Sequence, residues 1–266
     1  MKKLWLIPAA FFAVSCVLNL TGCLISDALE RCVKPALMPL LCLTTVAYIL
    51  PRSSGRLLPQ ETCHPRHRKR EGPTSEAQWE GSRSDAPEAV VCRKNGDGLA
   101  LLFCGQLFGF AGDTMLLGKG FSFFAGGVGL FLAGHIFYIC LFGGRSWKGL
   151  KVWQWVAALA VCLALDTGII SAIGVNGAML APMGIYGFVL TLLMFSTFAG
   201  ALKFGGATWW LLFAGALIFT FSDSLIAVRN FGTLSHFMGG FVVMLTYLAA
   251  QMLLAVGGAR LVLGLR

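Results

Sequence analysis

Apolar residues in this chain come in runs of about twenty, separated by short polar breaks, and they do not alternate with polar ones. At about 1.5 Å of rise per residue, one such run carries a helix across the hydrocarbon core of a bilayer. That ruler predicts eight transmembrane helices, at 4–26, 35–50, 98–117, 123–142, 152–173, 178–200, 208–228 and 236–258. Unbroken runs favour helices over a barrel, whose strands would alternate over about ten residues. The predicted fold is therefore all-α, a polytopic bundle. Helices 1–2 occupy residues 1–50 and helices 3–8 occupy 98–258. Between them, 51–97 reads as a polar, basic, disordered cytoplasmic loop, and 259–266 as a short tail.

Composition agrees with this reading. Hydrophobic residues make up 57% of the chain and charged ones only 12%, against about 25% in an ordinary soluble domain. So few charges cannot cover the outside of a water-soluble core of this size. The basic residues also set an orientation. Lys2, Lys3, the nine in 51–97, Arg145, Lys148, Lys151, Lys203, Arg260 and Arg266 fall on one side, and Arg31, Lys34, Lys119 and Arg229 on the other. The bias toward the cytoplasm places both termini there. The net charge of +9 then reflects membrane orientation beside anionic lipid, and calls for no nucleic-acid partner. The Met1-Lys2-Lys3 start and the Gly134-His135 pair favour a bacterial inner membrane. Nothing in the pattern sets an oligomeric state.

Two local motifs have bland readings. Leu20-Thr21-Gly22-Cys23 resembles a lipoprotein processing signal, but the run containing it reads as a retained first helix. Cys63, His64, His67 and Cys92 are crowded at one end and remote at the other, which disfavours zinc. The cysteines inside helices pack as small apolar groups, and Gly105-x-x-x-Gly109 supplies a close-packing face.

The acids carry the informative chemistry. Seven of the twelve lie in 51–97, and Asp27 and Glu30 lie in a short break. Asp113, Asp166 and Asp223 fall within apolar runs, as does His135, while Lys34 and His236 start helices. An ionisable group at membrane depth costs about 2.5–3.5 kcal/mol on insertion scales, so it faces the bundle interior and marks a site. Counted from the predicted ends, Asp113 is four residues and Asp223 five from the outer face, with Lys34 at the same level. Asp166 has no comparable setting and reads as structural or peripheral. Two membrane histidines at different depths are too few for a hydrolytic zinc site, and there is no G-x-S-x-G elbow. A carboxylate pair is left, without metal or cofactor. In a low-dielectric pocket such a pair supplies one acid and one charged group. A proton-coupled small-molecule transporter or a non-enzymatic lipid-binding protein would use buried acids too. The transporter reading is weakened by the lack of a clear internal repeat.

The order of the motifs resembles the YhhN-type lysoplasmalogenase family of integral membrane hydrolases. The matching pieces are Val33-Lys34-Pro35, Ala111-Gly112-Asp113, Gly134-His135-Ile136-Phe137-Tyr138, Tyr186-Gly187 with Leu190-Thr191 and Met194, Gly215-Ala216-Leu217-Ile218-Phe219 before Ser222-Asp223-Ser224, and Tyr247 with Ala249-Ala250-Gln251. No one of these is specific, but six in order are. The 47-residue loop departs from the family, and Asp166 matches none of its motifs. The resemblance implies cleavage of the vinyl ether of a lysoplasmalogen, giving a fatty aldehyde and a glycerophospho-base. Asp113 and Asp223 are then the expected catalytic pair. Lys34 is expected to hold the substrate phosphate, and His135, Tyr138, Tyr186, Ser222, Tyr247 and Gln251 to line the pocket or support it. The implied partners are the lysophospholipid substrate and membrane lipids.

Overall fold

A computed structural model describes residues 4–53, 88–174, 177–231 and 236–265; within these, the side chains at 27, 53, 88–96, 178 and 230–239 are not described. The chain forms eight α-helices: α1 (Leu6–Ile25), α2 (Asp27–Ser53), α3 (Glu88–Met115), α4 (Phe121–Ser146), α5 (Val152–Ile173), α6 (Leu180–Phe204), α7 (Gly206–Phe231) and α8 (His236–Val262). A short 3₁₀ turn, Gly177–Met179, precedes α6. Among the described residues there is no strand, and each helix contains a span long and apolar enough to cross a bilayer. The protein is an integral, multi-pass membrane protein.

Two helices run further than hydropathy suggests. α2 begins at Asp27, eight residues before the expected start at 35, and continues to Ser53. Pro35 therefore does not open the helix. It lies inside it with Pro39 and Pro51, although each proline removes one backbone donor. The Thr44 and Thr45 hydroxyls bond back to the Leu40 and Leu41 carbonyls at 2.7 and 2.9 Å. α3 starts at Glu88, so the last part of the expected loop is helical. Its first turns are polar, and a hydropathy ruler cannot register them. Residues 54–87 lie outside the described part, and with them the basic cluster and the Cys63, His64 and His67 thiol and imidazoles; the Cys92 and His236 side chains are outside it as well.

Successive helices run antiparallel, so the connections alternate between two ends of the bundle. We call the end carrying Leu4 and Leu265 the terminal end and the other the distal end. The pairs α1/α2, α3/α4 and α7/α8 pack most extensively, α6 bridges α4 and α7, and α5 sits outermost against α6. α5 accordingly leaves Val152, Trp153, Val156, Val161 and Leu163 exposed, as a lipid-facing helix must.

Glycines set the closest approaches. A Cβ at Gly22 of α1 would lie 2.6 Å from the Glu30 backbone nitrogen of α2. One at Gly134 of α4 would lie 3.0 Å from the Gly105 carbonyl of α3, and one at Gly105 would strike the Tyr138 ring at 2.4 Å. Gly105 and Gly109 thus do form a packing face, with Gly109 turned toward Met38 and Gln251.

The terminal end is tied together by polar contacts. Arg145 at the end of α4 donates to the Leu261 carbonyl of α8 at 3.3 Å. Lys203 of α6 donates to the Lys148 and Arg145 carbonyls at 2.5 and 3.4 Å. Thr208 of α7 donates to the Leu265 carbonyl at 2.8 Å and accepts from Arg260 at 3.0 Å. The distal end instead opens into a cavity of about 740 Å³.

Candidate functional site

Asp113 lies in the last turn of α3 and is buried, only 4% exposed. The Tyr247 hydroxyl of α8 donates to its Oδ2 at 2.5 Å, and Gln251, one turn along α8, donates to the Tyr247 oxygen at 3.3 Å. Asp223 of α7 is partly buried, and the Tyr186 hydroxyl of α6 donates to its Oδ2 in a very short bond. The two carboxylates lie within electrostatic reach of each other, and each also acts on the tyrosine that serves its partner. Four helices thus contribute two carboxylates and two phenols to one polar knot. Ionised carboxylates accept strong hydrogen bonds from such donors, which fix their orientation where water is scarce.

Aromatic rings enclose the knot from the terminal side. Phe131 and Phe219 stand edge-on to Tyr247, with ring centres 6.1 and 5.7 Å away. His135 packs edge-on to Phe219 at 4.6 Å and to Tyr186 at 5.9 Å. His135 Nδ1 lies 2.6 Å from the Phe131 carbonyl, so Nδ1 carries the proton and donates. A second polar layer lies one to two turns further in. There, among the described residues, Tyr138 Oη and Gln251 Oε1 are buried without a hydrogen-bond partner, as is the Oε1 of Gln106, whose Nε2 reaches the Thr45 hydroxyl at 3.2 Å.

The cavity at the distal end begins about one helical turn beyond the carboxylates. Leu116, Ile226 and Met244 contribute to its lining, and each is three residues from Asp113, Asp223 or Tyr247, one helical turn of about 5 Å. Lys34 is half-buried, lines the cavity, and acts electrostatically on Asp113. Asp113 and Asp223 do not themselves line it, so the cavity stops one turn short of the carboxylates.

Most of the residues expected from sequence are brought together: Asp113, Asp223, Tyr186, Tyr247, Gln251 and His135 form the knot and its wall. Tyr138 lies deeper, against α3. Ser222 does something other than line the pocket: its hydroxyl is committed to the Val243 carbonyl of α8 at 3.1 Å and joins two helices. Counted from the observed ends, Asp113 is two residues and Asp223 eight from the distal termini of their helices. The matched count expected from hydropathy therefore does not hold. The carboxylates still act on one another, because α7 runs further beyond the site than α3. Asp166 is not part of the pair. It is buried on α5 at 6% exposure, with Oδ1 only 2.0 Å from where a Cβ would stand on Gly187 of α6. Phe131 was not singled out from sequence, and Phe219 entered only as the last residue of a family motif, since aromatic residues are common throughout these helices.

The arrangement suits proton transfer to a poorly basic carbon, followed by stabilisation of the resulting cation. A carboxylic acid is able to give such a proton, a neighbouring carboxylate to oppose the positive charge, and aromatic faces to add a cation–π contribution. Among the described residues no three His, Cys, Asp or Glu side chains gather as a metal site.

Comparison with known proteins adds an independent line. The chain is 32% identical over 159 residues to a Homo sapiens protein named lysoplasmalogenase TMEM86A, a match covering 58% of this chain and 63% of that protein. It is 31% identical over 159 residues to the Bos taurus protein of the same name, with the same coverage. The chain thus matches under two thirds of the length of these relatives. No solved structure matches significantly. The family model described as the YhhN family matches residues 88–258, which include α3 to α7, most of α8 and both carboxylates. The chain belongs to the YhhN family.

Proposed function

We propose that the protein is a membrane hydrolase that cleaves the vinyl ether bond of lysoplasmalogens, releasing a fatty aldehyde and a glycerophospho-base. One observation carries this reading: two tyrosine-held carboxylates, Asp113 and Asp223, share a water-poor pocket beneath a cavity open at one end of the bundle. The names of the human and bovine relatives support it.

A vinyl ether resists nucleophiles and hydroxide but yields to acid. Protonation of its β-carbon moves the double-bond electrons onto that new C–H bond and leaves an oxocarbenium ion. In this reading one of Asp113 and Asp223 donates the proton and the other, ionised, steadies the cation and takes a proton from the attacking water. The hemiacetal that results collapses to aldehyde and alcohol. One water is consumed, and the carboxyl pair ends with the proton it began with. General-acid steps of this type contribute about 10²- to 10⁴-fold. Tyr186 and Tyr247 orient the pair, His135 and the Phe131 and Phe219 faces line the cation's site, and Lys34 attracts the substrate phosphate as a point charge. Gln251 supports Tyr247, and Tyr138 offers its hydroxyl one layer deeper. The alkenyl tail lies among the apolar side chains of the bundle. We place the distal end outside and the termini in the cytoplasm, on the count of basic residues.

The test is aldehyde release from 1-alkenyl lysophospholipid by the purified protein in detergent. Wild type is expected to turn over, and Asp113→Asn and Asp223→Asn each to lose at least 10²-fold in kcat while eluting as folded protein. A wild type that makes no aldehyde ends the enzymatic reading. Two folded, fully active variants end the assignment of the pair.

A further inference from the structure

Four cations reach the distal end of this molecule from three parts of the chain, and all four line the same cavity. They are Arg31 and Lys34 on α2, Lys119 in the α3–α4 turn, and Arg229 on α7. One acid, Glu30, lines it with them. These four are also the whole set of basic residues that the sequence assigns to that side of the membrane. Gathering four like charges around one hollow is unfavourable in itself, and it becomes favourable when an anion occupies the hollow. Two of the four, Lys34 and Arg229, act electrostatically together with Glu30 on one thiol, Cys23 of α1.

We propose that this cavity is the binding site for the phosphate of a single-chain glycerophospholipid headgroup, formed by Arg31, Lys34, Lys119 and Arg229 together. The inference rests on the reaction proposed above and specifies how the substrate is held. Distance supports it. Arg229 is six residues beyond Asp223 on α7, an axial offset of about 9 Å. In a lysoplasmalogen seven bonds separate phosphorus from the vinyl β-carbon, a span of roughly 9 Å when extended. A phosphate among the cations therefore puts the carbon to be protonated beside the carboxylates. Glu30 provides a counterpart for the ammonium of an ethanolamine or choline group. The cavity opens away from the terminal end, so the water-soluble glycerophospho-base leaves by the route its headgroup entered.

The experiment uses the full chain in detergent and a double variant, Arg31→Gln with Lys119→Gln. Wild type is expected to favour 1-alkenyl lysophosphatidylethanolamine over the phosphate-free 1-alkenyl glycerol by tenfold or more in kcat/KM. The double variant is expected to raise KM for the phospholipid about tenfold and to shrink that preference to threefold or less. An unchanged preference overturns the proposal. Should the double variant fold poorly, Lys119→Gln alone, in a turn outside the helices, is expected to raise KM about threefold; an unchanged KM there also counts against the site. Direct binding keeps the proposal separate from the reaction. Radiolabelled ester lysophosphatidylethanolamine, which has no vinyl ether, is expected to bind the double variant at least fivefold more weakly than wild type even if no aldehyde is ever made. Equal binding overturns the proposal. Inorganic phosphate at 10 mM is expected to compete poorly with the lipid; if it displaces the lipid fully, the site reads free phosphate and the lipid assignment falls.

Discussion

Tyr247 and Asp113 stand 134 positions apart in the chain and meet at 2.5 Å, hydroxyl to carboxylate. Tyr186 serves Asp223 in the same way from α6. Each carboxylate is thus aimed by a phenol on a different helix, and its orientation depends on packing between helices. If that orientation matters, Tyr247→Phe and Tyr186→Phe each lower kcat about 10- to 100-fold and leave KM within threefold, since neither phenol is placed at the phosphate. Steady-state kinetics on both variants checks this. A change confined to KM would put the phenols in substrate binding.

Asp166 provides the internal control among the membrane acids. It lies on the outermost helix, against Gly187, away from the pair. Asp166→Asn is expected to keep kcat/KM within threefold of wild type under the same aldehyde assay. If Asp166→Asn alone abolished turnover, the choice of the two other acids would be wrong.

Gly187→Ala tests the packing beneath that acid. The new methyl would lie 2.0 Å from Asp166 Oδ1, so the carboxylate must turn away from α6. Overpacking of this type costs about 1–3 kcal/mol. A lower thermal midpoint is expected for Gly187→Ala, with partial recovery when Asp166→Ala removes the obstructing group.

Ser222 neighbours the catalytic candidate but serves the fold. Its hydroxyl joins α7 to the Val243 carbonyl of α8. Ser222→Ala is expected to cost about 1 kcal/mol of stability and to leave the rate within threefold. Thermal denaturation and the aldehyde assay separate the two effects.

Gly22 holds the α1–α2 approach that carries Glu30 to the cavity. A methyl there meets the backbone of Glu30 at 2.6 Å, and backbone cannot rotate aside. Gly22→Ala is expected to lower the thermal midpoint and to raise KM by severalfold, because Arg31 and Lys34 move with α2. An unchanged KM in a destabilised variant would show that the cavity tolerates displacement of that helix.

The sequence carried more of the site than of its geometry. Eight helices follow from hydropathy because lipid removes every other way to satisfy the backbone, and Asp113 and Asp223 stand out because charge is costly at that depth. Hydropathy was blind to the polar first turns of α2 and α3, where helix continues beyond the apolar span. It also misjudged depth, because helices project unequally and a residue count from one end measures only its own helix. Ser222 looked like a pocket residue from its place beside Asp223, yet adjacent residues on a helix point about 100° apart. The cavity was present in the sequence only as four basic residues counted for orientation. Their meeting at one place is a property of the packing, which no local pattern records.

The ties at the terminal end have a consequence for how the protein is assayed. Arg145, Lys203, Thr208 and Arg260 fasten four helices there by contacts to carbonyls and a hydroxyl, while the distal end stays open. Chemistry reached from one mouth is sided. Reconstituted in sealed vesicles in random orientation, only the molecules whose mouth faces the added substrate would turn over at once. The others would wait for lipid to cross the bilayer. A burst followed by a slower phase, set by lipid flip-flop and abolished by detergent, would then report the membrane's own permeability to its single-tailed lipids.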